Sequence, residues 1–184
     1  MTKALRMLPQ WMRIPACILV LASCAFTTGC NPFGKSEPEA RSFSIPIANR
    51  DTDMELALTI SERQQGLQKE LDLDENEGMA FLFESPQQAS FWMRNTQIPL
   101  DIGFFTGDGV LREIHQMYPN VEVSVRSHRT DIVIAVEMNQ GWFERMGIKP
   151  GDSIDLNRLI RAIEARGESP SDYPLSTSQS LRLR

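Results

Sequence analysis

The chain has 184 residues, 41% of them apolar, and a formal charge of −5. That length holds one domain with extensions, and that apolar share excludes a wholly disordered polymer. An acidic balance with no basic cluster excludes the electrostatic footprint of a nucleic-acid binder.

Taken in chain order, residues 1–23 read as a targeting segment and stand outside the fold. "MTKALRMLPQWMR" carries Lys3, Arg6 and Arg13 and no acid, and "IPACILVLAS" adds an apolar run. The run is too short to span a bilayer of roughly 30 Å. Two cysteines follow, Cys24 in "LASC" and Cys30 in "TTGC". A small residue before a cysteine, directly after such a run, resembles the lipobox of bacterial lipoproteins. The resemblance implies cleavage just before an acylated cysteine, hence a lipid-anchored, extracytoplasmic protein of the cell envelope. Leu21 favours Cys24, because Thr27 occupies the corresponding place ahead of Cys30. Against it, that choice leaves Cys30 as an odd thiol outside the cytoplasm. An ordinary secretory signal or an uncleaved anchor are the alternatives. With Cys17 these are all the cysteines, so the body of the chain holds no disulfide and no thiolate metal site. Loss of the three leader bases takes the charge from −5 to −8, which anionic headgroups repel.

Residues 24–44 form a tether, because "NPFGKSEPEARS" (31–42) is rich in Pro, Gly, Ser and charge. At the far end, 167–184 ("GESPSDYPLSTSQSLRLR") has too little apolar content to pack and is expected to be disordered. One globular domain remains, 45–166.

Within it, period-two patterns dominate. "MELALTI" alternates Met54, Leu56, Leu58 and Ile60 against polar or small neighbours, a half-buried strand. "SERQQGLQ" breaks the alternation, with Ser61 placed as the N-cap of a short helix. "GMAFLF" is apolar on both faces, which marks a fully buried strand. "ASFWM" and "PLDIGFF" are two more, and "TGDGV" turns the chain into "VLREIHQM". "DIVIAVEM" is the clearest strand, with Ile132, Ile134, Val136 and Met138 expected on one face. "QGWFERMGIKPGDSIDL" predicts a short helix presenting Trp142, Phe143 and Met146 to one side. Gly147 suits a left-handed C′ position, Pro150-Gly151 a type II turn, and "DSIDL" a closing strand. Leu156, Leu159, Ile160 and Ile163 recur at helical spacing in a last amphipathic helix. Seven strands and a few helical turns predict a mainly β (α+β) domain, a compact antiparallel β-barrel or sandwich.

"GMAFLFESPQQASFWMRNTQIPLDIGFFTGDGVL" together with "AVEMNQGWFERMGIKPGD" resembles the bacterial and archaeal family called domain of unknown function 192. Gly78-Met79, Trp92-Met93, Asn95-Thr96, Pro99, Asp101, Gly109, Glu137 and Gly151-Asp152 carry the resemblance, over about residues 52–157. It implies a small β-rich fold, often exported, and no activity, since the family is named for lacking one. Function therefore has to come from the site.

The candidate ligand-binding residues are Trp92, Arg94, Asn95, Thr96, Asp101 and Glu137. Alternation sets Asp101 with Pro99, Gly103 and Phe105, and Glu137 with Asp131, Val133 and Ala135. On neighbouring strands the two carboxylates are expected to meet in a shallow concavity. There they would divide into acid and base, or ligate a hard cation. The plainer reading gives Asp101, Asn95 and Thr96 to turn amides and pairs Glu137 with Arg94 or Arg126. Trp92 and Trp142 suit a groove for sugars or peptide ends, though core packing is the commoner role. Two histidines, His115 and His128, without a spaced carboxylate cluster predict no zinc site and no cofactor. No Gly-x-Ser-x-Gly elbow or glycine-rich phosphate loop is present. The reading that results is a lipid-anchored extracytoplasmic binding or accessory module. It contacts the membrane through its lipid, and a small ligand or an envelope protein through its domain, with no nucleic acid. The alternative is an envelope hydrolase or metal-dependent enzyme using Asp101 and Glu137.

Overall fold

The period-two segments become strands in a computed structural model that describes residues 42–176. The targeting segment, Cys24, Cys30, tether residues 24–41 and tail residues 177–184 lie outside the described residues. The strands are β1 (Ser42–Ser44), β2 (Asp53–Ala57), β3 (Glu77–Gln87), β4 (Ser90–Phe91), β5 (Leu100–Thr106), β6 (Leu111–Met117), β7 (Val125–Arg126) and β8 (Ile132–Asn139). The helices are α1 (Ile60–Gln65), α2 (Trp142–Met146) and α3 (Leu156–Ala165), followed by a 3₁₀ turn at Pro170–Asp172.

Six strands form one sheet in the order β1-β2-β3-β8-β5-β6, and β4 pairs with β7 in a separate ribbon. The domain is β-rich with a few short helices, as expected, but the sheet stays open and does not close into a barrel. It is also mixed, since β2 and β3 run parallel. Parallel neighbours need a crossover, and the segment carrying α1 provides it. Thr59, not Ser61, caps that helix: its side chain accepts the Glu62 amide while the Glu62 carboxylate accepts the Thr59 amide. The expected closing strand at 152–156 is reduced to isolated bridges, Val110 with Ser153 and Ile47 with Ile154.

Both faces of the sheet are covered, so β5 is buried along its whole length and β8 nearly so. This is why "DIVIAVEM" and "PLDIGFF" read as continuous apolar runs. On one face Met54, Val136, Met138, Phe105 and Leu111 pack with Trp142, Phe143, Leu159 and Ile163 from α2 and α3. On the other, Phe81, Leu100, Ile102, Phe104 and Ala135 pack with Leu67, Met93 and Met117. The expected single face of β8 is broken by a bulge. Phe105 faces Ile134 and Thr106 faces Ile132, so Val133 is the extra residue. Ile132 thereby joins Ala135 on the second face, away from Ile134, Val136 and Met138.

The C-terminal corner follows its local signals. Gly147 has φ +73 and Ile148 donates its amide back to the Phe143 carbonyl at 2.8 Å, closing α2 in a Schellman-type cap. Gly151 has φ +106, and Asp152 N donates to Lys149 O across the turn at 3.1 Å. Residues 167–176 depart from the expected disorder. Tyr173 is buried in the first core and Ser176 N donates to Gly107 O at 2.8 Å. Tyr173 anchors this otherwise polar stretch, with Leu175 packed against the same core. The tether boundary also moves, since Ser42–Ser44 pairs with β2 as a strand.

Candidate functional site

The block at 92–101 is a corner built in two halves, each needing its residue types for a backbone reason. In the first, Thr96 N donates to Met93 O at 3.2 Å across a tight turn that holds Asn95 at φ +57. Asparagine tolerates that left-handed position better than a branched residue does. In the second, Pro99 and Asp101 clamp the exit of β8. Gln140 N donates to Pro99 O at 3.1 Å, and Gly141 N donates to Asp101 Oδ2 at 2.8 Å. Gly141 starts α2 at φ +78, so Asp101 holds the backbone where the strand turns into the helix. Its Oδ1 is buried with no hydrogen-bond partner among the described residues. Burial pushes the Asp101 carboxyl up, opposed by the Gly141 amide.

Strand register separates the two carboxylates. β5 and β8 are neighbours, but Asp101 stands opposite Met138 and Glu137 opposite Ile102. Cross-strand partners share a face, and successive residues alternate. Asp101 therefore points to the α2 side, and Glu137 to the side of Ile102 and Phe104. The expected concavity shared by both acids is not formed, because a register offset of one residue puts them back to back.

Glu137 instead forms part of the wall of a small cleft of about 30 Å³ on its own face. Phe81, Phe91, Trp92, Thr96 and the Gln65–Leu67 segment at the end of α1 line it. The residue is only 5% exposed and makes no hydrogen bond with any described residue. Neither Arg94 nor Arg126 pairs with it. Desolvation alone pushes its carboxyl up to about 8. Thr96 is buried beside it, and its hydroxyl likewise engages no described group. Arg63 reaches the rim, but its guanidinium is held by the Leu58 and Leu82 carbonyls at 2.5 and 3.0 Å.

The two tryptophans part company. Trp142 is fully buried and donates its indole N–H to Asn76 Oδ1 at 3.1 Å. Trp92 is 49% exposed at the cleft. Arg94 stacks over the Trp92 ring at 4.9 Å and pairs with Glu122 at 3.3 Å. Of the six candidate residues, the structure thus brings Trp92, Thr96 and Glu137 into one cleft. Arg94 and Asn95 stand on the corner beside it, and Asp101 serves the opposite face.

Sequence reasoning missed three things. Phe81 and Phe91 are aromatic walls indistinguishable from core in the sequence. A second cleft of about 190 Å³ shares Gln65, Gly66 and Leu67 with the first, and Asp53, Glu55, Glu70, Asp72 and Glu77 line it. Finally, Glu113 lies between both histidines and supplies the carboxylate judged absent. The Glu-x-His spacing on a strand was the available signal.

The sequence model of the family called domain of unknown function 192, described as Uncharacterized ACR, matches residues 44–156. No curated protein matches the chain. A protein of unknown function from Novosphingobium aromaticivorans has a crystal structure similar to this one, with 34% identity and a TM-score of 0.59. The match covers 62% of this chain and 84% of that one. A Sinorhizobium meliloti protein, described as a "putative transcription regulator", is also similar, with 30% identity and a TM-score of 0.61. That match covers 65% of this chain and 96% of the other.

Proposed function

The chain belongs to the domain of unknown function 192 family, and from that premise we propose that it is a lipid-anchored, extracytoplasmic binding module whose ligand enters the Glu137 cleft. One observation carries the reading: a buried carboxyl that hydrogen-bonds to no described residue forms part of the wall of an open, aromatic-walled cleft. Leaving such a group unpaired costs stability, and that cost falls away when a ligand completes the site. Thr96 adds a hydroxyl that hydrogen-bonds to no described residue, and Phe81, Phe91 and Trp92 add aromatic side chains. A carboxyl among aromatic faces suits a positively charged group, by ion pairing and by cation–π attraction. The neighbouring acidic cleft favours the same sign of charge. The ligand class is therefore a small primary amine or a basic chain end.

The lipobox-like "LASC" supports the anchor, with Cys24 as the acylated residue and Cys30 as the alternative. Among the described residues no helix is long and apolar enough to cross a membrane. The regulatory role named for the Sinorhizobium protein finds no electrostatic support here, because the chain has a charge of −5 and no basic stripe. The two-carboxylate enzyme loses its footing with Asp101 and Glu137 on opposite faces.

Titration with methylamine and with guanidinium, followed by NMR, tests the cleft. The Trp92 indole and Thr96 signals should shift in the parent and stay still in Glu137→Gln. Equal shifts in both proteins would refute the assignment. Metabolic labelling with palmitate tests the anchor, with label expected in the parent and absent from Cys24→Ser. Label that disappears only in Cys30→Ser moves the site, and no label at all sinks the anchor.

A further inference from the structure

We infer that Glu113, His115 and His128 form a binding site for a divalent first-row transition-metal cation, with zinc the first to test. The inference stands apart from the Glu137 cleft. Glu113 and His115 are two residues apart on β6, so the pleat sets both side chains on one face. That face is the one carrying Ile102 and Phe104, their cross-strand partners. The His115 ring packs edge-on to Phe104 at 5.5 Å, which fixes its orientation. His128 arrives from the loop between β7 and β8, and its ring centroid lies 5.1 Å from that of His115.

Distances are those of a ligand set. Glu113 Oε2 lies 2.9 Å from His115 Nε2 and 3.0 Å from His128 Nδ1, and the three ligand atoms all lie within 4.8 Å of one another. Two donors each about 2.05 Å from one ion stand about 2.9 Å apart at a right angle and about 3.3 Å apart at the tetrahedral angle. Both Glu–His edges therefore fit a right-angled pair and open by a few tenths of an ångström for a tetrahedral one. The His–His edge closes by movement of His128, whose side chain is 83% exposed.

The carboxylate is also held in place by the loop that carries His128. Glu113 Oε2 accepts the His128 backbone amide at 2.8 Å and Oε1 the Arg129 amide at 2.9 Å. With a cation bound, both ring nitrogens turn their lone pairs to the ion, and the two amides remain to orient the carboxylate. One carboxylate with two imidazoles selects zinc-like ions over Ca²⁺ or Mg²⁺, which take oxygen ligands. It also leaves coordination positions open towards solvent.

The test uses the full chain without a histidine tag, titrated calorimetrically with zinc chloride. Cys17, Cys24 and Cys30 offer sulfur, so zinc X-ray absorption reads the shell. Nitrogen and oxygen appear at about 2.0–2.1 Å and sulfur at about 2.3 Å. One equivalent in a nitrogen–oxygen shell is expected, weakened at least about tenfold in His128→Ala and in His115→Ala. The metal-free melting curve of His128→Ala should match the parent. No binding at millimolar zinc, a sulfur shell, or affinity unchanged in both variants would overturn the inference. So would a metal-free melting curve lowered in His128→Ala as much as with zinc present, which assigns that histidine to packing.

Discussion

Replacing Glu137 by Gln removes one ionisable proton from the centre of the sheet and keeps the shape of the side chain. An ordinary glutamate titrates near 4.5, and burial pushes Glu137 up to about 8. Each pH unit between those values is worth about 1.4 kcal/mol of folding free energy. Below 4.5 the carboxyl is neutral in both folded and unfolded chains, and no penalty arises. As pH rises from 4.5 through about 8, the unfolded chain ionises while the fold holds the neutral acid. Stability is lost over that window, by about 3 kcal/mol at pH 7 and about 5 kcal/mol in full. The glutamine variant escapes this loss. The difference between variant and parent, from urea denaturation at pH 4 to 9, isolates Glu137 from every other titrating group. It should be constant below pH 4.5, climb in favour of the variant to about 3 kcal/mol at pH 7, and level off above pH 8. Saturating methylamine should shrink the difference at pH 7, because a bound cation stabilises the ionised form. A difference that stays flat from pH 4 to 9 would refute the argument, since it would mean that the cleft solvates the carboxylate as well as water does.

Other outcomes follow from the same contacts. Asp101→Ala leaves the Gly141 amide without its acceptor and should cost about 1–3 kcal/mol in urea denaturation; a loss below about 0.5 kcal/mol would deny Asp101 its role at the β8–α2 corner. Gly78→Ala places a Cβ 2.4 Å from the Glu137 carbonyl oxygen, so β3 and β8 must separate. A lower melting temperature is expected, for a cost of about 1–3 kcal/mol, and an unchanged one would contradict the packing. Burial pushes the Glu62 carboxyl up, but the Thr59 amide, Arg166 and the Leu58 amide outweigh it and bring it to about 2. Its support is present above 4.5 and lost as pH falls towards about 2. Glu62→Gln, partly screened by solvent, should therefore cost about 1 kcal/mol at pH 7 and almost nothing at pH 2, by thermal melts at the two values.

Much of the fold was legible because its signals are local. The alternation of 53–57, the apolar runs of β3, β5 and β8, the Gly147 cap and the Gly151 turn each depend on a few adjacent residues. Ser61 lost the cap to Thr59 because the decisive partner, Glu62, stands three residues after Thr59 and completes a capping box. Tyr173 escaped notice because a single aromatic in a polar stretch carries no period, yet it packs into a core assembled from distant residues.

The site was legible in residue type and not in arrangement. Trp92, Thr96, Asp101 and Glu137 stand out as chemistry-bearing residues in the sequence, and Pro99 and Asp101 announce a corner. Which carboxylate faces which side follows from the pairing of Asp101 with Met138 and of Ile102 with Glu137. The approach of His128 to Glu113 likewise depends on a loop returning to an edge strand. The chain alone determined most of its strands, its turns and, away from the β8 bulge, the side of a strand on which a residue lies, because sterics and period act between near neighbours. Tertiary structure decided the order of the strands, the parallel pair, the bulge at Val133 and the separation of the two acids. Those depend on register between segments far apart in sequence, and a slip of one residue would have turned Glu137 to the other face.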